Sequence, residues 1–313
     1  MSKILITGGL GFVGGRLSRR LSAEHEVYVS SRNKVSEDVL RLHGHIRWVE
    51  HRSLLSASGF PPSMDIVIHL ASLNEWDSVK YPVEAIRINV DETHLILENS
   101  ISAGAGQFIY FSTAHIYGSP LVGKISEETL PVPVHPYAIT HRAAEDYIVA
   151  ATKQKRIRGT VFRMSNAIGA PVYPEVNRWT LLANDLCRQA VEKGKLSLHS
   201  NGCQYRDFIC LSDVEEIIAA LPVKNTHHII YNLGSGKSLQ VKDMAMKISL
   251  LASEMLNKKI SLEWPANALV TEEEGLHYSI DRLLSEGFRI LNPVDTELEN
   301  LLQFCKSNFV PVD

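Results

Sequence analysis

Through its first half the chain alternates short apolar runs with longer stretches whose apolar positions recur every three or four residues. The short runs suit strands buried on both faces, and the longer ones suit helices laid over those faces. Strands are predicted over 3–7, 26–31, 46–49, 65–70, 107–112 and 159–163, with helical patterns between most of them. Repeated strand–helix–strand units give an α/β fold built on a doubly wound parallel sheet. Beyond about residue 170 the rhythm breaks: a helix over 179–192, β pieces over 196–199 and 208–210, then helices over 212–220 and 240–256. These read as a smaller mixed α/β C-terminal lobe for binding substrate. Residues 231–233, followed by Gly234-Ser235-Gly236, are predicted to rejoin the main sheet. The expected division is a dinucleotide-binding domain over 1–170, rejoined by about 228–256, and a mainly substrate-binding lobe over 171–313.

Composition narrows the class without naming a function. The 313 residues are 45% hydrophobic and 21% charged, which excludes disordered and fibrous chains. A net charge of −3 argues against a nucleic-acid surface. Cys187, Cys203, Cys210 and Cys305 form no paired motif, so reduced thiols in a cytoplasmic protein are expected. The apolar start ends at Thr7-Gly8-Gly9, too short for a signal-peptide core, and no run reaches the ~18 apolar residues of a membrane span. The 13 histidines show no ligand spacing, and no metal is expected.

The first strand runs straight into Gly8-Gly9-Leu10-Gly11-Phe12-Val13-Gly14, and a helix follows. Glycines at 8, 11 and 14 allow in turn a tight turn, close approach of backbone to a pyrophosphate, and close packing of helix on strand. The helix N-terminus then attracts phosphate. This context predicts a Rossmann-type NAD or NADP site. At the tip of the second strand, Ser31-Arg32-Asn33-Lys34 offers no acidic partner for a ribose hydroxyl. Arg32 and Lys34 tilt the expectation slightly to NADP, although Arg32 could also stack on the adenine of NAD.

The turn resembles that of the extended short-chain dehydrogenase/reductase family, the nucleotide-sugar epimerases, dehydratases and reductases. Further motifs agree in order along the chain. Asp65 to Ala71 is similar to the fourth strand beside adenine and ribose, with Leu70 and Ala71 toward the cofactor and Ser72 toward substrate. Asn89 resembles the helix asparagine that follows. Phe111-Ser112-Thr113-Ala114-His115 resembles the active-site strand end, where the Thr113 hydroxyl would bond the reacting sugar oxygen and His115 would lie near substrate. Pro136-Tyr137-Ala138-Ile139-Thr140-His141 resembles the helix bearing Tyr-x-x-x-Lys, with His141 in the lysine position. Asn166 and Arg206 match positions that approach the substrate diphosphate. Arg178 falls in the stretch that lines the pocket. Outside the resemblance, Arg206-Asp207 reads as a surface ion pair.

The resemblance implies hydride transfer at C4 of a nucleotide-activated sugar, by a 4-dehydrogenase or 4-ketoreductase serving polysaccharide or deoxy-sugar synthesis, with Tyr137 as acid/base. A C4 epimerase is the alternative, and a non-catalytic nucleotide-binding protein a third. A homodimer formed by the long helices is also implied. Family dehydratases carry Asp-Glu after the active-site hydroxyl; Ala114 and His115 stand there instead. A helix places Tyr137 and His141 on one face. A phenol with a pKa of about 10 needs a nearby cation to act as a base, and imidazole, with a pKa of about 6.5, is a poor one at neutral pH. Three outcomes stay open: His141 bonds the ribose in a working enzyme, another base such as His115 or His135 takes over, or catalysis is lost.

Overall fold

In the computed structural model, which describes residues 1–32, 35–224, 226–265 and 274–309, seven strands form one sheet and every neighbouring pair is parallel. They are β1 (Lys3–Thr7), β2 (Glu26–Ser31), β3 (Ile46–Glu50), β4 (Ile66–His69), β5 (Gln107–Thr113), β6 (Arg158–Met164) and β7 (Ile230–Leu233). Their spatial order is β3-β2-β1-β4-β5-β6-β7. The order reverses between β1 and β4, which opens a crevice at the carboxyl ends of these strands. Residues 230–233 rejoin the sheet against β6, as the sequence predicts.

Seven longer helices complete the frame: α1 (Phe12–Leu21), α2 (Thr93–Ser102), α3 (Pro136–Lys153), α4 (Leu182–Lys193), α5 (Leu211–Ala220), α6 (Val241–Leu256) and α7 (Val294–Asn308). Strand residues alternate between two cores. Leu5, Val67, Phe108 and Val161 pack with Ile96, Ala144 and Ile148 of α2 and α3. Ile4, Ile6, Val29, Ile68 and Phe162 pack with Leu17 of α1 and with Val214 and Ile217 of α5. Burial on both faces is why the strands read as unbroken apolar runs.

A third core gathers Leu186, Ala190, Met244, Ile248, Leu298 and Leu302 from α4, α6 and α7. Here Tyr205–Cys210 pairs parallel with Asn166–Ile168 and antiparallel with Ser238–Gln240. This is the smaller mixed lobe. Its first helix starts at Leu182, not at residue 179, because Trp179 is turned inward against Phe304 and Phe309. Helix α5, which follows the lobe's strands in sequence, packs instead on the main sheet, and Arg16 of α1 pairs with its Glu215 at 2.8 Å.

A buried ion pair joins sheet to helix. Arg163 of β6 is 1% exposed and Glu145 of α3 is fully buried. The guanidinium donates to Glu145 from Nε (3.1 Å) and from a terminal nitrogen (2.8 Å). Its other terminal nitrogen donates to the Tyr117 hydroxyl at 2.9 Å, which in turn donates to Asn232 of β7 at 2.7 Å. Removing one partner leaves a charge uncompensated in the core, so Arg163→Met should lose about 3–5 kcal/mol of stability in urea unfolding. The double variant Arg163→Met/Glu145→Met should recover much of that loss.

Candidate active site

The crevice begins at Thr7, the last residue of β1. Its Oγ1 accepts from the backbone N–H groups of Leu70 (3.1 Å) and Ala71 (3.2 Å). With its lone pairs engaged, the hydroxyl donates to Nδ1 of His69 at 2.7 Å. The His69 proton therefore sits on Nε2 and is given to Thr93 Oγ1 at 2.9 Å. This buried relay holds the ends of β1 and β4 together just below the glycine turn. Burial pushes the His69 imidazole down to about 3.

Gly8 has φ +66°, a conformation that side chains disfavour. A Cβ on Gly14 would lie 2.2 Å from the Gly8 carbonyl, so helix and turn touch only because no side chain intervenes. Gly11 starts α1 without a side-chain cap, and the first turn, with Phe12 and Val13, contains no acidic residue. The first amides of α1 thus keep their positive end available. These residues fit the pyrophosphate of a dinucleotide. At the tip of β2, Ser31 accepts from Trp48 Nε1 at 2.9 Å and Arg32 is exposed. Lys34 lies outside the described residues.

Two expected cofactor residues stand elsewhere. Asp65 precedes β4 and, in a parallel sheet, lies at the opposite edge from the glycine turn, where it accepts from the Lys3 N–H at 2.8 Å. Its role is to tie β4 to β1. Asn89, in a widened helical turn, is 1% exposed. It accepts from Leu73 N–H at 2.7 Å and donates to Thr140 Oγ1 at 3.0 Å. With both ends of its amide engaged, it positions the 70–73 loop, which contains Ser72, against the helix that bears Tyr137.

Thr113 ends β5, buried, and its Oγ1 accepts from the His115 N–H at 3.2 Å. Helix α3 begins at Pro136, with His135 as its cap: Nδ1 accepts from the Tyr137 N–H at 3.3 Å. One turn apart, the rings of Tyr137 and His141 lie 4.2 Å between centroids. Burial drives His141 down to about 4, so the imidazole is neutral near pH 7. Tyr137 is pushed above the ordinary phenol range, first by burial and then by the Glu75 carboxylate, with Arg178 opposing. His141 thus preserves the lysine's position without its charge. Among the described residues Ser112 Oγ is one of the buried polar atoms without a hydrogen-bond partner, and the His141 ring faces the Tyr137 carbonyl one turn back.

Between Glu75 and His115 on one side and the lobe on the other lies a cavity of about 110 Å³, lined also by Asn166, Thr180 and Arg206. Asn166 is held by Nδ2 donating to the Asp207 carbonyl at 2.9 Å. Arg206 is oriented by Gln204, whose Oε1 accepts at 2.8 Å. Asp207 is not a surface residue: it is 1% exposed and accepts from Ser165 Oγ (2.6 Å) and from Ser235 N–H (2.8 Å). It fastens the Arg206 strand to the 234–236 turn. Arg178 donates to Glu75 at 3.1 Å across the cleft. Glu75 matches no motif legible in the sequence, and neither does the Thr7–His69–Thr93 relay; only the fold brings these groups together.

The family model described as the NAD dependent epimerase/dehydratase family matches residues 4–234. The chain belongs to that family. It is an enzyme of the extended short-chain dehydrogenase/reductase type. It is 24% identical to the dTDP-D-glucose 4,6-dehydratase of Mus musculus, over 98% of this chain and 89% of that protein. The UDP-glucuronic acid 4-epimerase of Bacillus cereus, solved with UDP-glucuronic acid and NAD, superposes with a TM-score of 0.82 at 21% identity, covering 98% of this chain and 100% of that one. RMD of Pseudomonas aeruginosa, solved with NADPH, gives a TM-score of 0.76 at 21% identity, covering 98% and 99%. Among the described residues no helix is long and apolar enough to cross a membrane.

The two depressed histidines carry a pH signature. An unfolded histidine titrates near pH 6.5, whereas folded His141 and His69 do so at about 4 and about 3. Between those limits the unfolded chain binds more protons, so stability falls as pH drops. The melting temperature should decrease steadily from pH 7 to pH 4.5 in circular dichroism melts, and His141→Gln should flatten part of that slope.

Proposed function

We propose that this enzyme transfers hydride at C4 of a nucleotide-activated sugar, as a 4-dehydrogenase or 4-ketoreductase, with Tyr137 moving the hydroxyl proton and Thr113 orienting the reacting oxygen. The observation that carries this reading is the close, tilted Tyr137–His141 pair on α3, set at the edge of the sheet that also holds the glycine turn and the end of β5. A nicotinamide dinucleotide supplies the hydride acceptor or donor when bound. In the family's pattern His141 takes the lysine's place beside the nicotinamide ribose, and its position one turn after Tyr137 on α3 supports such a contact. Arg32, exposed at the tip of β2 with no acidic residue beside it in sequence, supports NADP over NAD. Asn166 and Arg206 suit the two phosphates of the substrate, and the 171–313 lobe serves as the substrate-binding half. With Ala114 and His115 after Thr113, the carboxylate pair used for 4,6-dehydration is missing from those positions. A C4 epimerase is the second reading, supported by the likeness to the Bacillus cereus epimerase fold. Four free, buried cysteines support a reducing compartment such as the cytoplasm.

A second copy of the chain is the partner we infer. Val83 (79% exposed), Ile86 (53%), Leu95 (43%), Ile139 (48%) and Tyr147 (45%) lie on the Pro82–Ile86 helix, α2 and α3. Exposed apolar residues on neighbouring helices suit burial in a homodimer. Solution scattering should give twice the mass of one chain; a monomeric mass overturns this.

Denaturing the purified protein and identifying any released dinucleotide narrows the enzymatic readings. Retained NAD or NADH indicates internal recycling, by an epimerase or a dehydrogenase that regenerates its cofactor in place, whereas an empty site that accepts NADPH indicates a ketoreductase. In either case Tyr137→Phe should lower kcat by about 10²-fold or more, measured by turnover of nucleotide sugars. Near-full turnover in that variant rejects Tyr137 as the acid/base group.

A further inference from the structure

One charged side chain in the cleft has no part in the chemistry so far. Glu75 lines the 110 Å³ cavity with His115, Asn166 and Arg206, and it also lines an adjoining, more open hollow of about 650 Å³ with Trp76, Val79 and His135. It therefore stands where the two spaces meet. Its side chain is 34% exposed and Arg178, its partner at 3.1 Å, is 27% exposed. Of the charges that act on Tyr137 and His141, Glu75 is the foremost for both. The short helix Glu75–Lys80 packs against α3, and Glu75 lines the cavity together with His115, two residues past Thr113, so a sugar that presents its reacting hydroxyl to Tyr137 brings its neighbouring ring substituents toward this carboxylate.

We propose that Glu75 sets the charge of the sugar this site accepts, admitting hydroxyl or ammonium substituents beside the reacting carbon and disfavouring a carboxylate there. The inference rests on the nucleotide-sugar reading above and deepens it. Hydroxyl and ammonium groups can donate to Glu75, whereas a sugar acid meets it as a like charge, and the bound substrate itself displaces part of the water that would screen the repulsion. Arg178 does not reverse the preference, because its guanidinium already holds Glu75. A uronate that took Arg178 would displace Glu75 and leave it unpaired inside the cleft.

The test is calorimetric titration of the purified protein, with its dinucleotide present, against UDP, UDP-glucose and UDP-glucuronic acid, and against dTDP with the matching dTDP sugars. The hexose conjugate should bind about tenfold or more tightly than the matching uronate. Glu75→Gln should shrink that ratio to about threefold or less, and Arg178→Gln should widen it, a pair of opposite shifts that loss of fold does not produce. Glu75→Asp should keep the wild-type preference and separates charge from packing. Equal or tighter uronate binding in the wild type, or an unchanged ratio in Glu75→Gln, overturns the assignment of Glu75 and leaves the nucleotide-sugar reading standing. No binding of any of these nucleotides overturns both.

Discussion

Everything at the cleft depends on where α3 sits, and α3 is held by a guanidinium with almost no contact with water. Arg163 projects from β6 into the layer between sheet and helix and meets Glu145 there. Burial of both charges is costly unless every donor is matched. The matching recruits Tyr117 from the turn after β5, Asn232 from β7 and Tyr278, whose hydroxyl donates to the Arg163 carbonyl at 2.7 Å. Five segments distant in sequence are thereby tied at one point. The direction in which α3 leaves that point decides where Tyr137 and His141 stand.

The electrostatics of the site follow from the same burial. A lysine in place of His141 would bring a charge into the cleft; the imidazole, driven down to about 4, brings none near neutral pH. Tyr137 is left above the ordinary phenol range, with Glu75 adding to the burial effect and Arg178 opposing it. Any lowering of Tyr137 must come from what binds beside it. Under the proposed mechanism, proton transfer at Tyr137 would then depend on occupancy of the cleft. This is the physical consequence of exchanging a permanent cation for a titratable ring.

Much of the fold was legible because its signals are local. The predicted strands of the main sheet matched the observed ones to within a residue, since strands buried on both faces must be apolar throughout. The glycine turn was legible for a similar reason: Gly8 answers to its own positive φ and Gly14 to the Gly8 carbonyl six residues back. Longer-range roles were harder to read. Asp65 lies in a recognisable motif, yet its carboxylate caps the start of β1 at the far edge of the sheet. Asn89 carries the right residue type, but its amide is engaged by Leu73 and Thr140. Asp207 looked like half of a surface pair and proved to be a buried clasp for the 234–236 turn.

The order of strands and helices, the phosphate-binding turn and the one-face placement of Tyr137 and His141 were settled by the sequence alone, because each depends on backbone periodicity or on contacts made within a few turns of chain. Tertiary structure decided the charges that surround those groups. Glu75 enters the cleft from the segment after β4, Arg178 from the loop before α4 and Arg206 from the central strand of the lobe's sheet. No spacing rule relates positions 75, 137, 178 and 206. Their meeting follows from how a parallel sheet, closed by β7, folds the lobe back over its own carboxyl edge.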